Sequence, residues 1–235
     1  MDGVPLRSSQ WRGGGAQRIP RPHGWGYGGL APWVDCVRPL SVADVVAAVA
    51  GHSNVDLPAP VDTLRESAVL VTLTDGPRGA EVLLTRRSQT LTSHRGEISF
   101  PGGRVDAGET FEAAALREAH EEVALDPSVV QLRGRLDPIS TMVSRSYIVP
   151  VVATLERRPS LRPAAGEVDR ILWVPLAELT RSDTFREEVW HLDGDPRAIF
   201  FFELDDETIW GATARVLHQL LRVALGIDSP EPPAL

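Results

Sequence analysis

Between Gly102 and Leu125 the chain reads GGRVDAGETFEAAALREAHEEVAL, and this stretch limits what it can fold into more than any other. Two glycines close the apolar run at 98–100. Gly108, Glu109 and Thr110 then open an Ala-rich segment whose composition predicts a helix with Thr110 as its N-cap. On that helix Glu118, Glu121 and Glu122 stand at i, i+3 and i+4, so three carboxylates share one face within one turn. At about 100° per residue, Ala115, Leu116, Ala119 and Val123 form a separate apolar stripe roughly 120° away. The stripe is expected to dock on a core while the carboxylates look outward.

Like charges this close repel, and taken alone such a helix fits a solvated surface as well as a functional site. The functional reading is chemical. Clustered carboxylates beside a Gly-containing loop suit hard, oxygen-seeking cations, and Mg²⁺ is commonly held by a few carboxylates, water and substrate phosphates. The backbone carbonyl of Gly103 can add a further oxygen. Arg117 falls on a neighbouring sector, where pairing with Glu109 locks the loop to the helix; this pair is expected to be structural.

Spacing separates the two readings. Gly103, Glu109, Arg117, Glu118, Glu121 and Glu122 stand in the order G-x5-E-x7-R-E-U-x-E-E-x-G-U, with U a bulky aliphatic residue, and the segment resembles the signature of the Nudix hydrolases. Two positions depart from it. Ala119 is smaller than the usual aliphatic residue, and Ala124 replaces the glycine expected just past the helix, where a left-handed residue often sits. Neither change removes a ligand. Upstream, LLTRRS at 83–88, His94, Gly96 and SFPGG at 99–103 resemble the extra motif of the coenzyme A pyrophosphatase branch, as does IWGATAR at 209–215.

The resemblance implies an α/β (α+β) chain with the Nudix α/β/α sandwich around a mixed sheet. It also implies a pyrophosphohydrolase using Mg²⁺ or Mn²⁺ at Gly103, Glu118, Glu121 and Glu122. A carboxylate within reach of the attacking water is the base, and Glu118, Glu121 and Glu167 all remain candidates. Glu167 lies in a loop near the place where several Nudix enzymes carry a further metal ligand or base. The branch implies coenzyme A or acyl-coenzyme A, cut to 3′,5′-ADP and 4′-phosphopantetheine. Its rivals are the same chemistry on ADP-ribose or a dinucleotide, and a non-catalytic nucleotide-binding module.

All 24 basic residues are Arg, because Lys is absent. That excludes a Walker A lysine and a lysine Schiff base, and leaves phosphate gripping to arginine. Arg86 and Arg87, at the end of a strand-like run, are candidates to contact substrate phosphates; the alternative is an exposed strand end. His94, in a polar loop, is a further substrate-site candidate. His120 has no second histidine at position 124, so a zincin reading fails. The net charge of −8 disfavours nucleic acid and anionic membranes. A single cysteine, Cys36, allows no intrachain disulfide and points to a reducing cytoplasm. No stretch approaches 18 apolar residues and no signal peptide is evident. The partner that the branch resemblance implies is a small, coenzyme A-like nucleotide, and a homodimer stays open as the assembly.

In order, residues 1–40 read as a Gly/Pro/Arg-rich, partly disordered leader that can pack locally through its tryptophans, and 41–62 as a short helix, capped by Ser41, with a linker. The hydrolase domain is expected over 63–227. Strands are expected at 67–74, 80–85, 129–136, 146–155 and 170–174, followed by a short helix at 175–179. A hairpin is expected within 187–204, with Phe200, Phe201 and Phe202 in the core rather than seating a ligand arm. An amphipathic helix at 212–225 stops at Gly226, and 228–235 is a frayed tail.

Overall fold

The β-branched runs on either side of Gly76 fold back on each other because the segment between them turns tightly, with Gly76 opposite Gly79 in the register. The structure, a computed structural model, describes residues 11–52, 65–141, 145–192 and 194–227. The linker expected at 53–62 and the tail at 228–235 lie outside these. A two-residue strand β1 (Gly26–Tyr27) and helix α1 (Val42–Gly51) precede β2 (Arg65–Gly76) and β3 (Gly79–Arg87). Then come β4 (Ile98–Ser99), β5 (Gly102–Arg104) and α2 (Phe111–Val123). Next are β6 (Gln131–Arg135), β7 (Ile139–Thr141), β8 (Ser146–Thr154), β9 (Val168–Pro175) and the single turn α3 (Leu176–Leu179). The chain ends with β10 (Phe185–Leu192), β11 (Asp195–Glu203), β12 (Thr208–Trp210) and α4 (Gly211–Leu225).

Strands β2 to β9 form one mixed sheet, in which β2 runs parallel to β8 and antiparallel to β3. Alternation divides its side chains between two cores. Ala68, Leu70, Leu83, Val151 and Ala153 point to one face and meet Ala114, Ala115, Ala119 and Val123 of α2. Val71, Leu73, Val82, Leu84 and Val152 point to the other, where α1, α4 and a second sheet cover them. The arrangement is the expected α+β one. The second sheet, in the order β1-β10-β11-β12, was not legible as a separate layer. Phe200, Phe201 and Phe202 are fully buried in it, as core.

Of the leader, residues 11–40 are described, and they pack on the domain through a tryptophan: Trp33 is fully buried, meeting Phe185 and stacking parallel to Phe202, and β1 pairs with β10. Aromatic burial supplies the ordering that the missing periodicity concealed. Helix α4 is covered on nearly all sides, burying Arg215, His218 and Arg222 along with its apolar stripe, because α1 packs against it as well as β11 and β12.

Helix α2 forms where its caps allow. Thr110 Oγ1 accepts from the Ala113 amide at 3.2 Å, and Ala124 ends the helix in the left-handed region at φ 55°, ψ 34°. The Ala124 amide donates to the His120 carbonyl at 2.9 Å and the Leu125 amide to that of Ala119 at 3.3 Å. An alanine there is strained by about 1 kcal/mol relative to glycine. Ala124→Gly is therefore expected to raise the melting temperature by a few degrees, as calorimetry would show; an unchanged or lower value would contradict the strain.

Candidate active site

The site grows from the short strand β5 lying beside α2. Ala68 pairs with Gly103 and Val69 with Gly102, which brings the strand edge against the helix. A side chain at Gly102 would run into the Ala68 carbonyl and the Val69 backbone, and one at Gly103 would overlap the Glu118 carboxylate. Gly102 is required by close approach to backbone, while at Gly103 a side chain would displace the Glu118 carboxylate.

Arg117 organises the rim. Its Nε and Nη2 donate to the two oxygens of Glu109 at 3.0 and 3.1 Å, and Nη2 also reaches the Arg104 carbonyl at 2.9 Å. The loop is thereby tied to the helix by a two-pronged charged contact. The remaining Nη1 donates to Glu118 at 2.9 Å and to Glu121 at 3.3 Å.

The three carboxylates are not equally exposed, contrary to the outward-facing expectation. Glu121 lies mostly in solvent and Glu118 is partly covered, while Glu122 is buried at 6 % exposure. One residue beyond Glu121, Glu122 rotates towards β5, where it accepts from the Gly102 amide at 3.3 Å and lies 3.7 Å from Arg87 Nη1. Burial pushes its carboxyl up to about 7, against the pull of that amide and Arg87. Burial also raises Glu118, which Arg117 partly offsets. The charge of Glu167 raises both, so the structure brings this loop residue into the field of the helix carboxylates. The Glu167 carbonyl is held by the Ser88 amide at 2.7 Å, at the end of β3.

Among the described residues no three His, Cys, Asp or Glu side chains already converge on one point as metal ligands. Arg117 draws Glu118 and Glu121 to one side while Glu122 faces Gly102. The donor set nevertheless fits a hard divalent cation: carboxylate oxygens, a glycine backbone without a side chain in the way, and mutual repulsion that a cation relieves.

Arg86 and Arg87 separate, as successive strand residues do. Arg86 donates to the buried Glu207 at 2.9 Å, alongside Arg170 at 3.0 Å, and so sits in a structural ion-pair cluster. Arg87 lines a cavity of about 530 Å³ that begins at Gly102 and Gly103 and runs between the two sheets to Trp190, Trp210 and Val216. His94 lines it too, at φ 54°, with Nδ1 2.9 Å from Glu97 Oε2. That carboxylate raises the imidazole, against partial burial. Glu97 was missed from sequence; its only signal was its place in the HRGEISFPGG motif.

In metal-free protein the raised Glu122 carboxyl favours the neutral form. The stability this form contributes is complete below the ordinary value of 4.5 and is lost as pH rises towards about 7. Urea denaturation in EDTA should therefore show Glu122→Gln gaining on wild type from pH 5 to pH 8, by on the order of 3 kcal/mol. A difference independent of pH would contradict the burial of a titrating carboxyl.

Residues 64–193 match the NUDIX domain family model. A Nudix hydrolase NudL from Photorhabdus laumondii, itself uncharacterised, is 37 % identical over 187 residues, covering 77 % of this chain and 96 % of that protein. Nudix hydrolase 22, chloroplastic, from Arabidopsis thaliana is 36 % identical over 162 residues, covering 65 % of this chain; the chain spans about half (53 %) of that relative. The crystal structure of a Nudix hydrolase from M. smegmatis, RenU, aligns at TM-score 0.49 and 20 % identity over 71 % of this chain and 89 % of that one. With the glutamate helix, its glycine strand and the Arg117–Glu109 clasp in place, the chain belongs to the Nudix hydrolase family.

Proposed function

We propose that this Nudix pyrophosphohydrolase acts on coenzyme A or its acyl derivatives, releasing 3′,5′-ADP and 4′-phosphopantetheine. The observation that carries the reading is the cavity beside the glutamate helix. Its walls are built from both segments that resemble the coenzyme A branch: Arg87, His94, Ser99 and Phe100 from the first, Trp210 and Thr213 from the second. A mostly apolar recess that begins at Gly102 and Gly103, the strand beside the glutamate helix, suits a diphosphate carrying a long, weakly polar arm.

In the reaction, water attacks one phosphorus, the bridging P–O bond breaks, and the leaving phosphate takes the electron pair. Glu118, Glu121, Glu122 and the Gly103 carbonyl would hold Mg²⁺ or Mn²⁺, which when bound would supply neutralisation of the diphosphate charge and a more acidic water. Glu118, Glu121 or Glu167 accepts the water proton; burial raises the Glu118 carboxyl, in the direction a proton acceptor needs. Arg87 and a protonated His94 offer positive charge to phosphate oxygens at the cavity mouth. Arg86, held by Glu207, supports the strand from which Arg87 projects. A cytoplasmic setting accords with the exposed, unpaired Cys36, and no helix among the described residues is long and apolar enough to cross a membrane.

Product analysis by mass spectrometry with Mg²⁺ or Mn²⁺ and a panel of coenzyme A, acyl-coenzyme A, ADP-ribose, NADH and diadenosine polyphosphates tests this. 3′,5′-ADP with phosphopantetheine is the expected result. Cleavage of ADP-ribose or NADH with coenzyme A spared would move the substrate to the rival class, and no turnover at all would favour a binding module. Glu121→Gln should lower kcat by at least 100-fold with an unchanged melting temperature, since its side chain is mostly in solvent.

A further inference from the structure

The cavity is not closed by the catalytic sheet alone. Residues 17–21, which lie outside the region matched by the family model, line it at Pro20 and, on either side, hold elements that carry its lining residues. Gln17 Nε2 donates to the Gly96 carbonyl at 3.0 Å and to Glu207 at 2.6 Å, while its Oε1 accepts from the Thr208 amide at 2.9 Å. One side chain thus ties the loop carrying His94 and Glu97 to the start of β12. Pro20 itself lines the cavity. Arg21 binds Glu188 through Nε at 3.0 Å to each oxygen, and Glu188 in turn accepts from Trp190 Nε1 at 2.7 Å. Trp190 is the cavity wall on the second sheet.

These contacts differ in chemistry but converge in effect. Gln17 fixes the loop that presents His94. Arg21 fixes the indole through a carboxylate that is fully buried and held by Arg186 as well. The Arg21 guanidinium also lies over the rings of Trp25 and Phe201, 5.0 and 5.5 Å from their centroids, which anchors the segment from behind. None of these residues reaches the carboxylates of α2.

We propose that residues 17–21 form the outer wall of the substrate cavity, with Gln17 and Arg21 as positioning residues that set affinity for the arm of the substrate extending away from the diphosphate. The inference rests on the cavity being the substrate site, and it extends that reading to a segment outside the family domain. Because the wall lies at the arm and not at the reacting phosphorus, its loss weakens binding of ground state and transition state alike.

Steady-state kinetics of the full chain with Mg²⁺ and coenzyme A tests the assignment. Gln17→Met, which keeps volume and removes the three hydrogen bonds, and Arg21→Ala should each raise KM about tenfold or more with kcat within threefold. Arg21→Lys should recover part of the loss, and Arg18→Ala, on the exposed side of the same segment, should match wild type. Pro20→Trp, at an exposed position that narrows the cavity, should raise KM even if the other variants fold poorly. Unchanged KM in the folded variants, or a fall in kcat at constant KM, would overturn the proposal. If wild type spares coenzyme A but cleaves ADP-ribose, the substrate reading fails on its own; the same KM comparison on ADP-ribose then decides the wall.

Discussion

The structure turns on a crowding of negative charge. One turn of α2 brings Glu118, Glu121 and Glu122 beside a two-glycine strand, with Glu167 adding its field from the loop before β9. In water such carboxylates would stay apart. Here Arg117 holds Glu118 and Glu121 from the loop side, and Arg87 and the Gly102 amide face Glu122 from the strand side. Everything that fixes this turn, from the Thr110 cap to the strained Ala124 stop and the Glu109 clasp, serves to keep charges adjacent that would otherwise separate. Glu122 shows the cost most clearly, being held in burial at a raised affinity for protons.

The second constraint is spatial. A helix of carboxylates alone gives an anhydride-cleaving edge but no discrimination among substrates. On the proposed reading, the second sheet supplies it. By stacking β10 to β12 against the far face of the mixed sheet, the chain leaves a recess that reaches Gly102 and Gly103 at one end and Trp190 and Trp210 on its far wall. Arg86, Arg170 and Gln17 meeting on the buried Glu207 join the two sheets at that point. The charged cluster thus ties the two sheets together.

What could be read from the sequence follows the range of the forces involved. Helix α2, its caps and its docking stripe were legible because they depend on residues within a few positions of one another, and the Arg117–Glu109 clasp spans only eight. The hairpin of β2 and β3 was legible for the same reason. The leader's partners were not, because Trp33 against Phe185, Gln17 against Gly96 and Arg21 against Glu188 are contacts across scores of positions with no periodic trace. Adjacent Arg86 and Arg87 looked equivalent in sequence; only the strand's alternation and the position of Glu207 give them different work. Glu122 resembled its neighbours until one further step around the helix carried it into the protein.

The most direct test of the whole account is a crystal structure of the Glu121→Gln variant with coenzyme A and Mg²⁺. The account predicts the diphosphate at Gly102 and Gly103 beside Glu118, with the pantetheine arm running between the sheets to Trp190 and Pro20. An arm lying in solvent, with the inter-sheet recess filled by water, would contradict it.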